Sequence, residues 1–126
     1  MRKLGIDYGS KRVGTALTDD KGMMAFPHKV FANDGQLLSN LEKLIDEKEV
    51  KEIVVGLSLG RDGQPNKIHA AVEGFITDLT LATGLPIHLE PEQYTTQEAI
   101  RFQGKSDKTD AAAASIILNS YIMKHK

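Results

Sequence analysis

Three stretches in the first third of the chain have patterns of apolar and polar residues that indicate β-strands. They cover residues 3–8, where Leu4 and Ile6 are apolar, residues 12–18, where apolar and polar residues alternate, and residues 23–31, a plausible third strand. Gly9-Ser10 separates the first two, and the turn sequence Asp19-Asp20-Lys21-Gly22 separates the last two. We therefore predict three strands joined by tight turns, an antiparallel meander. Pro27 cannot donate a ladder hydrogen bond, which predicts an edge position or a bulge for the third strand.

Helical and strand patterns alternate over the following residues. Leucine and isoleucine recur at helical spacing across residues 37–45, on an otherwise polar segment. A predicted strand at 52–57 contains a β-branched run typical of buried parallel strands. A second helix opens with a proline and covers residues 65–84, and a short strand follows at 86–89.

Two predicted helices complete the pattern. Thr95 or Thr96 can cap a short helix, with Glu98 well placed for a capping interaction. The last helix covers residues 110–123 and begins with four consecutive alanines after its first residue, so it can approach a sheet more closely than a helix built of leucines. The element order βββαβαβαα predicts an α/β fold, a mixed five-strand sheet with helices on both faces.

Composition limits the class of protein. The 126 residues and 13.8 kDa predict one domain spanning residues 1–126, large enough for a full core. No apolar run approaches the roughly 20 residues that cross a bilayer, and we see no signal peptide. The absence of cysteine excludes disulfides and thiolate metal sites and fits a cytoplasmic protein.

Charge gives a weaker indication of partners. The net charge of −1 does not by itself predict a nucleic-acid-binding protein. Several cations nevertheless fall in or beside predicted loops and helix starts, so a functional basic face and ordinary solvated charge are both open interpretations. These cations are Lys11, Arg12, Arg61, Lys67, Arg101, Lys105 and Lys108.

Asp7 ends the first predicted strand, which is otherwise apolar. A buried carboxylate without a partner is costly, so we expect a cation, a set of backbone N–H groups or a metal beside it. A salt bridge to Lys11 or Arg12 is the structural alternative to a metal site.

Glu92 follows the fifth predicted strand, and Asp110 begins the last helix. Alone, Glu92 can be a solvated loop acid, and Asp110 can be a helix-capping acid that is favourable near the helix dipole. Together with Asp7 they form a set of three carboxylates with no cysteine or nearby histidine. Such a set predicts Mg²⁺ or Mn²⁺ rather than zinc, and these ions serve phosphoryl transfer.

The turn after Asp7 has a second interpretation. Its glycines allow a phosphate to approach the backbone, where Ser10 and Lys11 could contact it. A similar Asp-x-Gly turn holds ATP phosphates in actin-like sugar kinases, although those proteins need two lobes. Nucleotide binding therefore stays open as an alternative.

Taken together, four stretches of this sequence resemble the motifs of the YqgF family, also called RuvX. They are Leu-Gly-Ile-Asp-Tyr-Gly-Ser-Lys-Arg-Val-Gly at 4–14, Ile-Val-Val-Gly-Leu-Ser-Leu-Gly-Arg-Asp-Gly at 53–63, Pro-Glu-Gln-Tyr-Thr-Thr at 91–96 and Asp-Ala-Ala-Ala-Ala-Ser-Ile-Ile-Leu at 110–118. The resemblance covers nearly the whole chain. It implies a ribonuclease H-like fold with strand order 3-2-1-4-5, and an activity as a Holliday junction resolvase or as a nuclease that matures the 5′ end of pre-16S rRNA in ribosome biogenesis.

Carried over residue by residue, the resemblance implies Mg²⁺ or Mn²⁺ ligands, and hence catalytic residues, at Asp7, Glu92 and Asp110. It also implies nucleic-acid contacts, at Ser10, Lys11, Arg12, Arg61 and Lys108. The partner would be structured RNA or branched DNA, with no membrane, and the protein would be a monomer or a weak homodimer.

The third motif departs from the family pattern. Pro91 stands where the family has Asp, and Gln93 stands where it has Arg, which removes one acid and one phosphate-binding fork. Glu90, two residues before Glu92, could compensate for the lost acid only if its strand directs the side chain toward the site. These changes motivate the alternative of a nucleic-acid-binding module without catalysis.

Overall fold

The structure, a computed structural model, describes residues 1–9, 11–57, 67–91 and 107–124; at 57, 67–70, 91 and 107–110 it describes the backbone only. Within these residues, five strands and three helices follow in the order β1 (Arg2–Tyr8), β2 (Arg12–Thr18), β3 (Ala25–Ala32), α1 (Leu37–Lys48), β4 (Val50–Leu57), α2 (Lys67–Thr83), β5 (Ile87–Pro91) and α3 (Asp107–Lys124). The short helix predicted after Thr95 or Thr96 falls outside the described residues. None of the described helices is long and apolar enough to span a membrane.

The strands form one mixed sheet in the order β3-β2-β1-β4-β5. Strands β1, β2 and β3 pair antiparallel as a meander, whereas β1, β4 and β5 run parallel. The predicted sheet and strand order are therefore confirmed. The parallel strands bring their carboxyl ends to the same edge of the sheet.

Strand β3 lies at the edge of the sheet, as Pro27 predicted. Its register against β2 shifts between Thr15, which pairs with Lys29, and Ala16, which pairs with Pro27. The shift is a bulge that accommodates the residue lacking an N–H. Edge position and bulge, offered as alternatives, therefore occur together.

Strand β3 begins at Ala25, two residues later than predicted. The reason lies in the preceding turn, where the carboxylate of Asp19 accepts a hydrogen bond of 2.8 Å from the Met23 N–H. The Asp19 N–H in turn donates to the Met24 carbonyl at 3.1 Å. These bonds extend the turn through Met24, and the hydrogen bond from the Met23 N–H is the main reason the pKa of Asp19 lies below its ordinary value.

Two apolar layers cover the sheet. Leu4, Ile6 and Val55 face the core shared with α1 and α2, and Ala16 and Val54 face α3. The small residues of α3 allow the close approach that its alanines predicted. A Cβ atom built on Gly5 would lie 2.8 Å from the Leu118 Cβ and 3.0 Å from the Ala114 carbonyl oxygen. Only glycine fits β1 at this contact.

Candidate functional site

Asp7 lies near the carboxyl end of β1, on the face of the sheet that α3 covers. Leu4 and Ile6 point into the core under α1 and α2, so the alternation of side chains along a strand places Asp7 on the opposite face. Its direct partner on β2 is Gly14. The parallel register of β1 and β4 pairs Ile6 with Val55, so the next residue of β4 beside Asp7 is Gly56. The half-buried Asp7 therefore has a glycine on each neighbouring strand, so neither neighbour places a side chain beside it.

The turn that follows Asp7 is held in a closed conformation. A Cβ atom on Gly9 would lie 2.6 Å from the Arg12 carbonyl oxygen, so the chain folds back too tightly for any other residue there. The Asn33 side-chain amide donates a hydrogen bond of 2.7 Å to the Gly9 carbonyl. Its backbone N–H donates to the Lys11 carbonyl at 3.0 Å. Asn33 thus fixes both sides of the turn that carries the exposed Lys11 and the half-buried Arg12.

Asn33 was not among the residues predicted for the site. The sequence Asn33-Asp34-Gly35 is typical of a break between a strand and a helix. Its contact with Gly9 joins residues 24 positions apart, and no local pattern indicates such a contact. An asparagine at the end of a strand that neighbours the first motif in the sheet is the one signal that could have identified it.

The structure describes only some of the remaining predicted site residues. Asp110 and Lys108 belong to the first turn of α3, where the structure describes the backbone. Asp110 is four residues before Ala114, whose carbonyl contacts β1 at Gly5, two residues from Asp7. Ser10, Arg61 and Glu92 lie outside the described residues.

Glu90 is a buried acid on the α3 face of the sheet. It pairs with Gly56 of β4, and its side chain is 4% exposed. Its Oε1 accepts a hydrogen bond of 3.0 Å from the Ser120 hydroxyl and lies 2.5 Å from the Lys124 ammonium nitrogen. The strand therefore turns Glu90 to the same face as Asp7, and its carboxylate is bound to the last turns of α3.

A histidine and a tyrosine lie next to Glu90 on the same face. The His88 ring stacks on the Tyr121 ring with centroids 5.0 Å apart, and its Nε2 lies 3.6 Å from a Glu52 carboxylate oxygen. Burial, and then the charge and hydrogen bond of Glu52, raise the pKa of Tyr121. His88 is thus part of a packed polar cluster at the β5 edge.

The donor chemistry at the carboxyl end of β1 suits a hard divalent cation. In the described part of the chain, no three histidine, aspartate or glutamate side chains converge on one point. The acid at the end of β1 nevertheless offers carboxylate oxygen beside two glycines, and His88 faces Tyr121 and Glu52 instead. Carboxylate oxygen is a donor that hard divalent cations such as Mg²⁺ and Mn²⁺ prefer.

Comparison with known proteins relates the chain to one family. Residues 1–124 match the model of the RuvX family, which is described as Holliday junction resolvase. The "Putative pre-16S rRNA nuclease" of Maridesulfovibrio salexigens is 34% identical over 98% of this chain and 99% of its own length.

Two solved structures share the fold of this chain. The RuvC protein of T. thermophilus, in complex with a Holliday junction substrate, superposes with a TM-score of 0.64 at 13% identity, covering 99% of this chain and 96% of that one. The fowlpox virus resolvase, in complex with Holliday junction DNA, gives a TM-score of 0.62 at 11% identity and covers 99% of each chain. At these identities the similarity establishes the fold alone, which is ribonuclease H-like.

Proposed function

This chain belongs to the RuvX family, and on that premise we propose that it is a divalent-metal-dependent nuclease that hydrolyses phosphodiester bonds in structured nucleic acid. The observation that carries the proposal is the position of Asp7, an acid at the end of a central strand with a glycine on each neighbouring strand. Such a position admits both a cation and a phosphate close to the backbone. The family match extends over residues 1–124, so we propose that the whole chain acts as one nuclease domain.

We assign Asp7, Glu92 and Asp110 as the ligands of one or two Mg²⁺ or Mn²⁺ ions. When bound, such an ion makes a water more acidic and offsets the negative charge that develops on the phosphate oxygens. In this proposal the three carboxylates would hold the ion, and the turn at Gly9 sets the distance between Asp7 and the backbone of the bound nucleic acid.

The cations after Asp7 position the substrate in this proposal. Lys11 and Arg12 contact phosphates that flank the scissile bond, with Ser10, Arg61 and Lys108 as further contacts. Lys11 is exposed, and Asn33 donates hydrogen bonds to the carbonyl groups of Lys11 and Gly9, so the Lys11 side chain extends from a backbone that Asn33 holds in place. Contacts of this kind bind any sequence and weaken with salt.

We propose pre-16S rRNA as the substrate, processed at its 5′ end in the cytoplasm by a monomer or weak homodimer. The name carried by the relative that is 34% identical over nearly its whole length supports RNA. A four-way DNA junction is the second candidate, favoured by the description of the matching family. A binding module without catalysis is the alternative that the Pro91 and Gln93 replacements favour.

Cleavage of precursor rRNA and of four-way junctions tests these candidates directly. We expect Mg²⁺- or Mn²⁺-dependent cuts in precursor rRNA, which Asp7→Asn abolishes. Asp20→Asn, an exposed acid in the turn between β2 and β3, serves as the matched control and should leave cleavage unchanged.

Metal binding gives a readout that does not depend on activity. Mn²⁺ should raise the melting temperature of the wild type and have a smaller effect on Asp7→Asn. RNA bound equally well in chelator, with no cleavage of either substrate in Mg²⁺ or Mn²⁺, would identify the protein as a binding module instead.

A further inference from the structure

A groove of about 550 Å³ opens on the other face of the sheet, between α1 and α2. We refer to it as the α1–α2 groove, and its walls include Tyr8, Asn33, Gly35, Leu38, Gly74 and Asp78. Its volume is within the range of about 300–1,000 Å³ that is typical of small-ligand sites. The groove begins at Tyr8, the residue after Asp7, and therefore lies at the same edge of the sheet as the proposed nuclease site.

Two glycines keep the α1–α2 groove open. A Cβ atom built on Gly74 or on Gly35 would have no other atom within 4 Å. Gly74 lies inside α2, where glycine costs about 0.5–1 kcal/mol relative to alanine. Packing therefore does not require glycine at this position, and a larger side chain would project into the groove.

The walls of the groove have the chemistry of a base-binding site rather than a phosphate-binding site. The half-buried Tyr8 ring packs on the buried Phe75 ring with centroids 4.8 Å apart, and both residues line the groove. Asp34 and Asp78 are exposed on the rim, and no lysine or arginine is among the described lining residues. Carboxylates repel phosphate but accept hydrogen bonds from the amino groups of bases, and aromatic rings stack on base faces.

We propose that the α1–α2 groove receives one unpaired base of the nucleic-acid strand whose backbone passes the turn at Gly9. This inference rests on the proposed function and adds a requirement for a nucleotide that is not base-paired near the cut. The base stacks against Tyr8, and the acids of the rim favour a base that carries an amino group over uracil or thymine. Asn33 joins the two sites, because it lines the groove and also holds the Gly9 carbonyl.

A titration without cleavage tests the groove independently of nuclease activity. ¹⁵N-labelled Asp7→Asn protein is titrated with a short single-stranded RNA and with a series in which one base at a time has been removed. We expect saturable shifts of the Gly35 and Gly74 amide resonances with the intact RNA, lost when one particular base is absent. Uracil at that position should bind less tightly than guanine.

Filling the groove provides the second arm of the test. Gly74→Leu should weaken RNA binding at least about fivefold, the effect of losing one base–aromatic stack. Thr77→Leu, on an exposed part of α2 outside the groove, is the matched control and should bind as before. If Gly74→Leu does not fold, Asp78→Asn replaces it, with loss of the preference for guanine over uracil as the expected result.

Shifts confined to Lys11 and Arg12, or shifts at Gly74 that are unchanged whichever base is removed, would overturn the proposal. So would unaltered RNA binding by a folded Gly74→Leu protein. Binding is measured without cleavage, so the two proposals can fail separately. A protein that cuts no substrate but shows base-dependent shifts at Gly74 would refute the nuclease activity and support base binding in the groove. A protein that cuts its substrate without those shifts would support the nuclease activity and refute base binding in the groove.

Discussion

Glu90 of β5 and Lys124 of α3 form an ion pair with an N–O distance of 2.5 Å, in which the carboxylate is 4% exposed and the lysine side chain 56% exposed. A buried carboxylate must keep its partners, because an unpaired charge in the interior is unfavourable. The pair therefore ties the end of α3 to the edge strand of the sheet.

Replacing Lys124 by Met should lower the free energy of unfolding by about 1–2 kcal/mol, measured by chemical denaturation. The lysine side chain is 56% exposed, so solvent screens its charge in part, which keeps the loss below that for a fully buried pair. Lys43→Met, at an exposed position of α1, is the control and should change stability by less than about 0.5 kcal/mol. Equal effects of the two variants would show that the pair contributes nothing.

Gly5→Ala should destabilise the fold by about 1–3 kcal/mol, because the added methyl group overlaps the Leu118 side chain and the Ala114 carbonyl. Thermal unfolding measures the loss. Gly74→Ala is the contrasting variant, since its methyl group meets no atom and removes a glycine from a helix, and it should raise stability by about 0.5–1 kcal/mol. A neutral Gly5→Ala would mean that α3 packs further from β1.

Asn33→Asp should impair the nuclease by weakening its hold on the turn after Asp7. The aspartate retains the shape of the side chain but cannot donate to the Gly9 carbonyl, whereas the backbone bond to Lys11 remains. We expect kcat to fall about tenfold with a smaller change in KM, since roughly 1.4 kcal/mol of positioning is lost. Asn40→Asp, on α1, is the control. A change in KM alone would assign Asn33 to substrate binding rather than positioning.

Lys11→Ala should reduce the salt dependence of RNA binding. Each phosphate contact contributes roughly 0.7–0.9 to the slope of log K against log salt, so the slope should fall by about that amount. Filter binding or fluorescence anisotropy from 50 to 200 mM salt measures it. Lys21→Ala is the control, because Lys21 lies in the turn between β2 and β3, at the opposite end of the strands, and it should leave the slope unchanged. Identical slopes for wild type and Lys11→Ala would remove Lys11 from the phosphate contacts.

Tyr121 predicts a loss of stability at alkaline pH. Its folded-state pKa is raised above the ordinary 10.0, chiefly by burial, so the neutral phenol is the form that the fold favours. The corresponding stability is complete below pH 10 and is lost as pH rises from there through the folded-state pKa. The fall in unfolding free energy above pH 10 should be smaller in Tyr121→Phe. A parallel pH dependence in the two proteins would contradict the shift.

The parts of the fold that sequence predicted are those with a local signal. Alternation, turn residues and the restriction on Pro27 were enough for the meander and its edge strand. The four alanines predicted a close approach of the last helix to the sheet, and this approach occurs at Gly5. The start of β3 was wrong because the Asp19 side chain extends the turn, a bond that depends on geometry rather than on residue type.

The candidate site was predictable only where an acid interrupts a strand pattern. Asp7 stood out for that reason. The roles of Asn33 and Glu90 depend on contacts with residues 24 and 34 positions away, and separations of that size leave no periodic pattern in the sequence. The roles of Asp7, Glu92 and Asp110 remain predictions.

The packing of α3 onto β1, β2 and β3 joins the last helix of the chain to its first three strands. During synthesis, the face of the meander that carries Gly5, Asp7 and Ala16 therefore stays exposed to solvent until α3 has left the ribosome. Contacts this distant along the chain form late in folding. A chain released before α3 would expose that face to aggregation, and we expect a growing chain to gain no cleavage activity until its final helix can dock.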